Sequence, residues 1–200
     1  MPLREHLRLV VAQGASAPDG PAAALAEKGG AGDPDPDDRL ELERLFRSYS
    51  PLVATISLRI LGSRDEMQDM VQDVFLELSR WLDRIDDAAA VKSWLTTVTV
   101  REARRRLRRR RLKTMLGLAE APDYQRVADT SASPAARTLL AEVYRVLDRV
   151  AVEDRLAWTL RHVASATLPE VAEHCGCSLA TAKRRIARAH SAILKEVTDV

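Results

Sequence analysis

Residues 167–197 read "TLPEVAEHCGCSLATAKRRIARAHSAILKEV", and side-chain chemistry alone places two helices and a turn within them. Thr167 followed three residues later by Glu170 is a capping-box pattern, and Pro169 is tolerated in a first helical turn, where backbone N–H groups lack intrahelical partners. Val171, Ala172 and Cys175 line the apolar side of the short helix so predicted. Gly176 breaks it, Ser178 caps the next helix, and the last helix runs from Leu179 to about Val197. On that helix Ala182, Ile186, Ala189, Ile193 and Val197 recur at helical spacing and point to a core. The outward arc then carries Lys183, Arg184, Ala187, Arg188, Ser191 and Lys195. Short helix, tight turn and second helix with a basic outer face make a helix-turn-helix, whose second helix enters the major groove and can read a guanine edge with arginine. The plain alternative is a solvated charged face on an ordinary bundle helix.

Toward the N-terminus, Ser133 with Pro134 opens another helix, followed by Leu139, Leu140, Val143, Val146, Leu147 and Val150, and a further segment spans about 153–164. Residues 114–133 lose periodicity and read as a linker; if extended, they would span about 65 Å. Before them lies "REARRRLRRRRLK" at 101–113, with eight arginines in its first eleven positions. Glu102 is the only acidic residue between Val98 and Leu118, so these arginines are expected to face solvent or an anion, a nucleic-acid backbone being the best match.

Three amphipathic segments precede the tract. Leu42, Leu45, Phe46 and Tyr49, then Leu52, Val53, Ile56 and Ile60, mark the first, which Gly62 stops. Ser63 with Glu66 forms a second capping box, and Met67, Met70, Val71, Val74, Leu78, Trp81 and Leu82 form a stripe opposite Asp69, Gln72, Asp73 and Glu77. The third starts near Val91, with Trp94, Leu95 and Val98 on one side. Residues 1–38, rich in Ala, Gly, Pro and Asp, read as a disordered leader. The fold class is therefore all-α: two small helical domains joined by a flexible linker, the C-terminal one a helix-turn-helix. The domains span 39–112 and 134–200, with the linker at 113–133.

Composition agrees. The net charge is only +2. Residues 1–100 nevertheless hold 11 Lys/Arg against 17 Asp/Glu, and residues 101–200 hold 20 against 12, a split that suggests two kinds of partner. No apolar run is long enough to span a membrane and no convincing signal peptide opens the chain, so the expected location is cytoplasmic. The two cysteines, Cys175 and Cys177, exclude a disulfide framework. With His174 they fall short of a zinc set, and they occupy apolar positions of the turn. No phosphate-cradling glycine loop, "HExxH" pattern or nucleophile elbow occurs, so no catalysis, metal or cofactor is expected. A free-standing helix-turn-helix regulator and an arginine-rich RNA-binding protein remain alternatives, the second marked by binding to structured RNA.

The two halves together resemble a bacterial RNA polymerase sigma factor of the extracytoplasmic-function group, across about residues 40–112 and 134–197. "DEMQDMVQDVFLELSRWL" resembles the family's polymerase-binding helix, "VKSWLTTVTVREARRRLRRRR" the helix that reads the minus-ten promoter element, and "TLPEVAEHCGCSLATAKRRIARAHSAI" the domain that reads the minus-thirty-five element. The resemblance implies that Asp69, Gln72, Asp73 and Leu76 dock on the β′ clamp helices of core polymerase, which also contacts the factor through its β subunit. It implies minus-ten contacts from Lys92, Arg101, Arg104, Arg105 and Arg108. Minus-thirty-five contacts would come from Thr181, Lys183, Arg184 and Arg188, with Arg185 at the phosphates. Trp94 would be packed in the core. Arg101 and Arg105 depart from the Asn and Asp often found at those positions. The implied partners are core polymerase, promoter DNA and an anti-sigma protein, without a membrane, and the implied mechanism is recruitment plus stabilisation of the melted strand.

Overall fold

A computed structural model describes residues 36–81, 88–118, 122, 124, 127 and 133–197. The leader up to residue 35, with Asp33 and Asp35, and the loop at 82–87 lie outside the described residues, as does most of 119–132. Seven helices occur among those described: α1 (Pro36–Leu61), α2 (Arg64–Ser79), α3 (Ala88–Met115), α4 (Pro134–Arg149), α5 (Val152–His162), α6 (Leu168–His174) and α7 (Leu179–Val197).

The local signals hold with small shifts. Helix α1 begins at Pro36, inside the segment expected to be leader, and runs through Pro51, which is exposed on the outer side. Gly62 ends it at φ +69°, donating its N–H to the Leu58 carbonyl at 2.8 Å. A Cβ there would come within 2.6 Å of the Tyr124 ring, so only glycine fits this close approach. Ser63 accepts from the Glu66 N–H at 3.3 Å, but the reciprocal half of that capping box is missing because the Glu66 carboxylate turns to Arg110. Helix α3 continues to Met115, beyond the expected end of its domain.

Ser133 caps α4 through the Ala136 N–H at 3.2 Å. The Thr167–Glu170 box is complete, with Thr167 N–H to Glu170 Oε2 at 2.7 Å and Glu170 N–H to Thr167 Oγ at 3.4 Å. Gly176, at φ +60°, closes α6: its N–H reaches the Glu173 carbonyl at 3.0 Å and that of Cys177 reaches Ala172 at 2.9 Å, a Schellman motif. Ser178 then caps α7 through the Thr181 N–H at 3.2 Å.

Helices α1, α2 and α3 pack together, α5 lies along α7, and α3 also packs against α5 and α6. One apolar cluster consequently runs through both halves, joining Ile60, Val74 and Leu95 to Leu156, Val171 and Ala182. A second cluster gathers α4, Trp158, Ala189 and Ile193 around Tyr124. The two groups of helices are thus in contact, and Tyr124, in the stretch read as linker, is 3% exposed.

Candidate nucleic-acid and polymerase interface

Helix α2 buries Met67, Met70, Val71, Val74, Phe75 and Leu78. The remaining face presents Asp69, Gln72, Asp73 and Leu76, all exposed, at steps of three and four residues. An apolar side chain flanked by carboxylates at this spacing suits docking against a basic partner helix. Asp69 and Asp73 also line a cleft of about 420 Å³ with Glu66, Arg105, Arg106 and Arg109, so the acidic face adjoins the arginine helix.

The arginines of α3 find more partners within the chain than expected, although Arg101, Arg105, Arg108 and Arg109 remain exposed. Arg101 meets both Glu77 carboxylate oxygens at 2.5 Å, Arg106 pairs with Asp73, and Arg110 meets Glu66 at 2.7 Å. Arg105 pairs with Glu102 at 2.8 Å and Arg108 with Glu153. Arg104 donates to the Cys175 carbonyl at 2.9 Å, and Arg111 to that of Val150 at 3.1 Å. Apart from Glu102 on α3 itself, the carboxylates come from α2 and α5, distant in sequence. Burial disfavours the Arg110 cation, but the Glu66 carboxylate outweighs that and its pKa is raised; Glu153 is held below the ordinary carboxylate value, Arg108 prevailing over burial. Lys92 is exposed near the start of α3, Arg101, Arg105 and Arg109 form an open stripe along it, and Trp94 is half-buried against the core.

On α7 the expected arrangement is present. Ala182, Ala189 and Ile193 are fully enclosed, whereas Lys183, Arg184, Ala187, Arg188, Ser191 and Lys195 are exposed. Thr181 accepts from Arg184 at 3.3 Å. Arg188 forks onto both oxygens of Asp154 at 2.7 and 2.8 Å, which fixes its guanidinium and raises its pKa. Arg185 is half-buried, set back from the outer arc. Cys175 is a core thiol, pushed up to about 11 by burial, and Cys177 packs beside it. Among the described residues no group of three or more His, Cys, Asp or Glu could hold a metal ion, and no helix is long and apolar enough to cross a membrane.

A polar junction missed by the sequence joins these surfaces. The end of α1 offers unpaired carbonyls, and three side chains cap them: Tyr144 donates to Arg59 O at 2.7 Å, Arg110 to Leu61 O at 3.0 Å, and Arg155 to Ile60 O at 2.7 and 3.0 Å and Leu61 O at 3.1 Å. Arg155 also pairs with Asp148, which accepts the Tyr124 hydroxyl at 2.5 Å. The rings of Tyr124 and Tyr144 stack with centroids 5.1 Å apart, and burial raises both phenol pKa values.

Residues 45–113 match the family model for sigma-70 region 2. The chain is 28% identical over 158 residues to the ECF RNA polymerase sigma factor SigM of Mycobacterium tuberculosis, covering 79% of this chain and 78% of that protein. It is 26% identical over 169 residues to the ECF RNA polymerase sigma-E factor of Escherichia coli, covering 80% and 88%. Two solved structures share the fold. The sigma factor RpoE bound to the anti-sigma factor NepR from Bartonella quintana matches at TM-score 0.59 and 19% identity, over 79% of this chain and 97% of that one. CnrH bound to the cytosolic domain of CnrY matches at TM-score 0.52 and 20% identity, over 97% and 98%. Matching helices, a region 2 signature on the acidic and arginine-bearing segments, and relatives of one kind agree: residues 45–113 are a sigma-70 region 2 segment, and over 79–80% of its length the chain is similar to extracytoplasmic-function RNA polymerase sigma factors.

Proposed function

We propose that the chain binds core RNA polymerase through Asp69, Gln72, Asp73 and Leu76 on α2, and reads two promoter elements with α3 and α7. Residues 39–112 act as region 2, 113–133 as the connection and 134–200 as region 4. The observation that carries the reading is the pairing of two differently charged surfaces: an acidic, uncovered face on α2 and, on α7, an outer arc of Lys183, Arg184 and Arg188 around the small Ala187. The first suits the β′ clamp helices, the second a major groove, where Ala187 can sit against a thymine methyl. Lys92, Arg101, Arg104, Arg105 and Arg108 contact the minus-ten element and hold the melted strand; Thr181, Lys183, Arg184, Arg185 and Arg188 contact the minus-thirty-five element. The β subunit, and a regulatory anti-sigma protein of the kind seen with RpoE and CnrH, complete the set of partners, and the work is done in the cytoplasm.

The test is a pull-down of core polymerase with run-off transcription on a library of promoter fragments. Asp69→Ala with Asp73→Ala should weaken polymerase binding by about tenfold, roughly 1.4 kcal/mol. Wild-type protein that binds DNA and ignores core polymerase would instead be a free-standing helix-turn-helix regulator.

A further inference from the structure

We propose that Asp154 is a positioning residue for promoter reading: it grips one edge of Arg188 so that the opposite edge is aimed at a guanine. The inference rests on the reading of α7 as the minus-thirty-five helix and names the base that one of its side chains selects. Asp154 lies in the first turn of α5 and is 5% exposed. Arg188 stands on the outer arc of α7, with 62% of its side chain open. Its Nε donates to Asp154 Oδ2 at 2.8 Å and its Nη2 to Oδ1 at 2.7 Å. A buried carboxylate of one helix thus holds an exposed guanidinium of another.

The donors that this fork leaves over decide what Arg188 can read. A guanidinium carries five N–H groups in one plane. The carboxylate takes Nε–H and one Nη2–H along the side of the group. Both Nη1–H and the second Nη2–H stay open, and two of these lie parallel at the tip. Guanine presents O6 and N7 together in the major groove and accepts such a pair; adenine places an amino donor where O6 would be and refuses it. An untethered arginine can turn to a phosphate instead, which carries no sequence information. Asp154 removes that freedom, and the ordering is complete before DNA arrives. Arg184, its neighbour on the arc, is tied through a single donor to the Thr181 hydroxyl at 3.3 Å, a looser hold than a charged fork.

The experiment uses the full chain assembled with core polymerase, on promoter fragments randomised through the upstream element and sequenced after run-off transcription. Wild type should select guanine at one position that Arg188→Ala relaxes. Asp154→Asn keeps the shape but accepts only one arm of the fork. It should lower the guanine preference at that position by at least about fivefold and leave the other positions alone. In an Arg188→Ala background the same change should do nothing further there, because Asp154 acts through the arginine. Fluorescence anisotropy with a random-sequence duplex gives a readout of opposite sign. Asp154→Asn should bind it as tightly as wild type or tighter, since a freed Arg188 reaches phosphate and a negative charge is gone; damage to the helix-turn-helix would weaken it. Guanine preference that survives in folded Asp154→Asn, or weaker binding to the random duplex, would overturn the proposal. If that variant loses its fold, Asp154→Ser carries the same expectations, and a template with 7-deazaguanine at the selected position tests the tip contact on the wild type. Loss of N7 should cut transcription at least about threefold, and an unchanged yield would overturn the guanine contact. Wild type that selects no upstream base removes α7 as the promoter-reading helix and the proposal with it. Selection of bases that Arg188→Ala leaves untouched overturns the proposal alone.

Discussion

Arg155 is 2% exposed, and its donors go to two backbone carbonyls and a carboxylate. Nothing in "VEDRLAWTLRH" distinguishes it from a surface arginine on an amphipathic helix, because its partners Ile60 and Leu61 lie more than ninety residues away. Tyr124 was illegible for the same reason: it sits in aperiodic sequence, and what buries it is Gly62, Tyr144 and Asp148. Removing either leaves buried polar groups stranded. Arg155→Met should destabilise the fold by about 3 kcal/mol, read from denaturant midpoints, since three carbonyl contacts and the Asp148 pairing go with it. Gly62→Ala should cost about 2 kcal/mol in the same assay, from a positive φ and the encroachment on Tyr124.

At the scale of elements, the sequence was most informative where the signal is local. The α7 boundaries, the Ser133 and Ser178 caps and the complete Thr167–Glu170 box follow from residues three or four apart. Thr167→Ala should lower stability by about 1 kcal/mol, seen as a reduced thermal midpoint. The Glu170 carboxyl is held below its ordinary value by the Thr167 backbone N–H and hydroxyl. Its contribution is therefore present above the ordinary carboxylate pKa and lost as pH falls through the depressed one, and Glu170→Gln should flatten that acid limb. Helix α3 shows the limit of local reading. Its arginine segment buries Ala103 and Leu107 in the core, but its guanidinium groups are ordered by carboxylates on α2 and α5 that no short-range pattern pairs with them.

For the molecule as a whole, the contact between halves carries a pH dependence. Burial lowers the His174 pKa from an ordinary 6.5, so the contact favours the neutral ring facing Thr97, against the opposing pull of Glu173 and Glu170. A base with a depressed pKa binds fewer protons when packed, so the contact weakens as pH falls below 6.5. The Glu153 carboxyl, depressed from 4.5, adds a loss in the same direction at lower pH. Scattering should show the wild type more extended at about pH 5.5 than at about pH 7.5, and His174→Gln should remove most of that difference. The intramolecular pairing of the tract also changes its counterion ledger. Five of its eight arginines, Arg101, Arg105, Arg106, Arg108 and Arg110, already carry a carboxylate among the described residues. The counterions that set the salt slope are cations condensed on the DNA, and an arginine that keeps its own carboxylate neutralises no phosphate and releases none of them. The logarithmic salt slope of DNA binding should accordingly fall well short of the roughly 0.9 per contact expected for bare charges, and Glu153→Gln should steepen it by restoring Arg108 to the count.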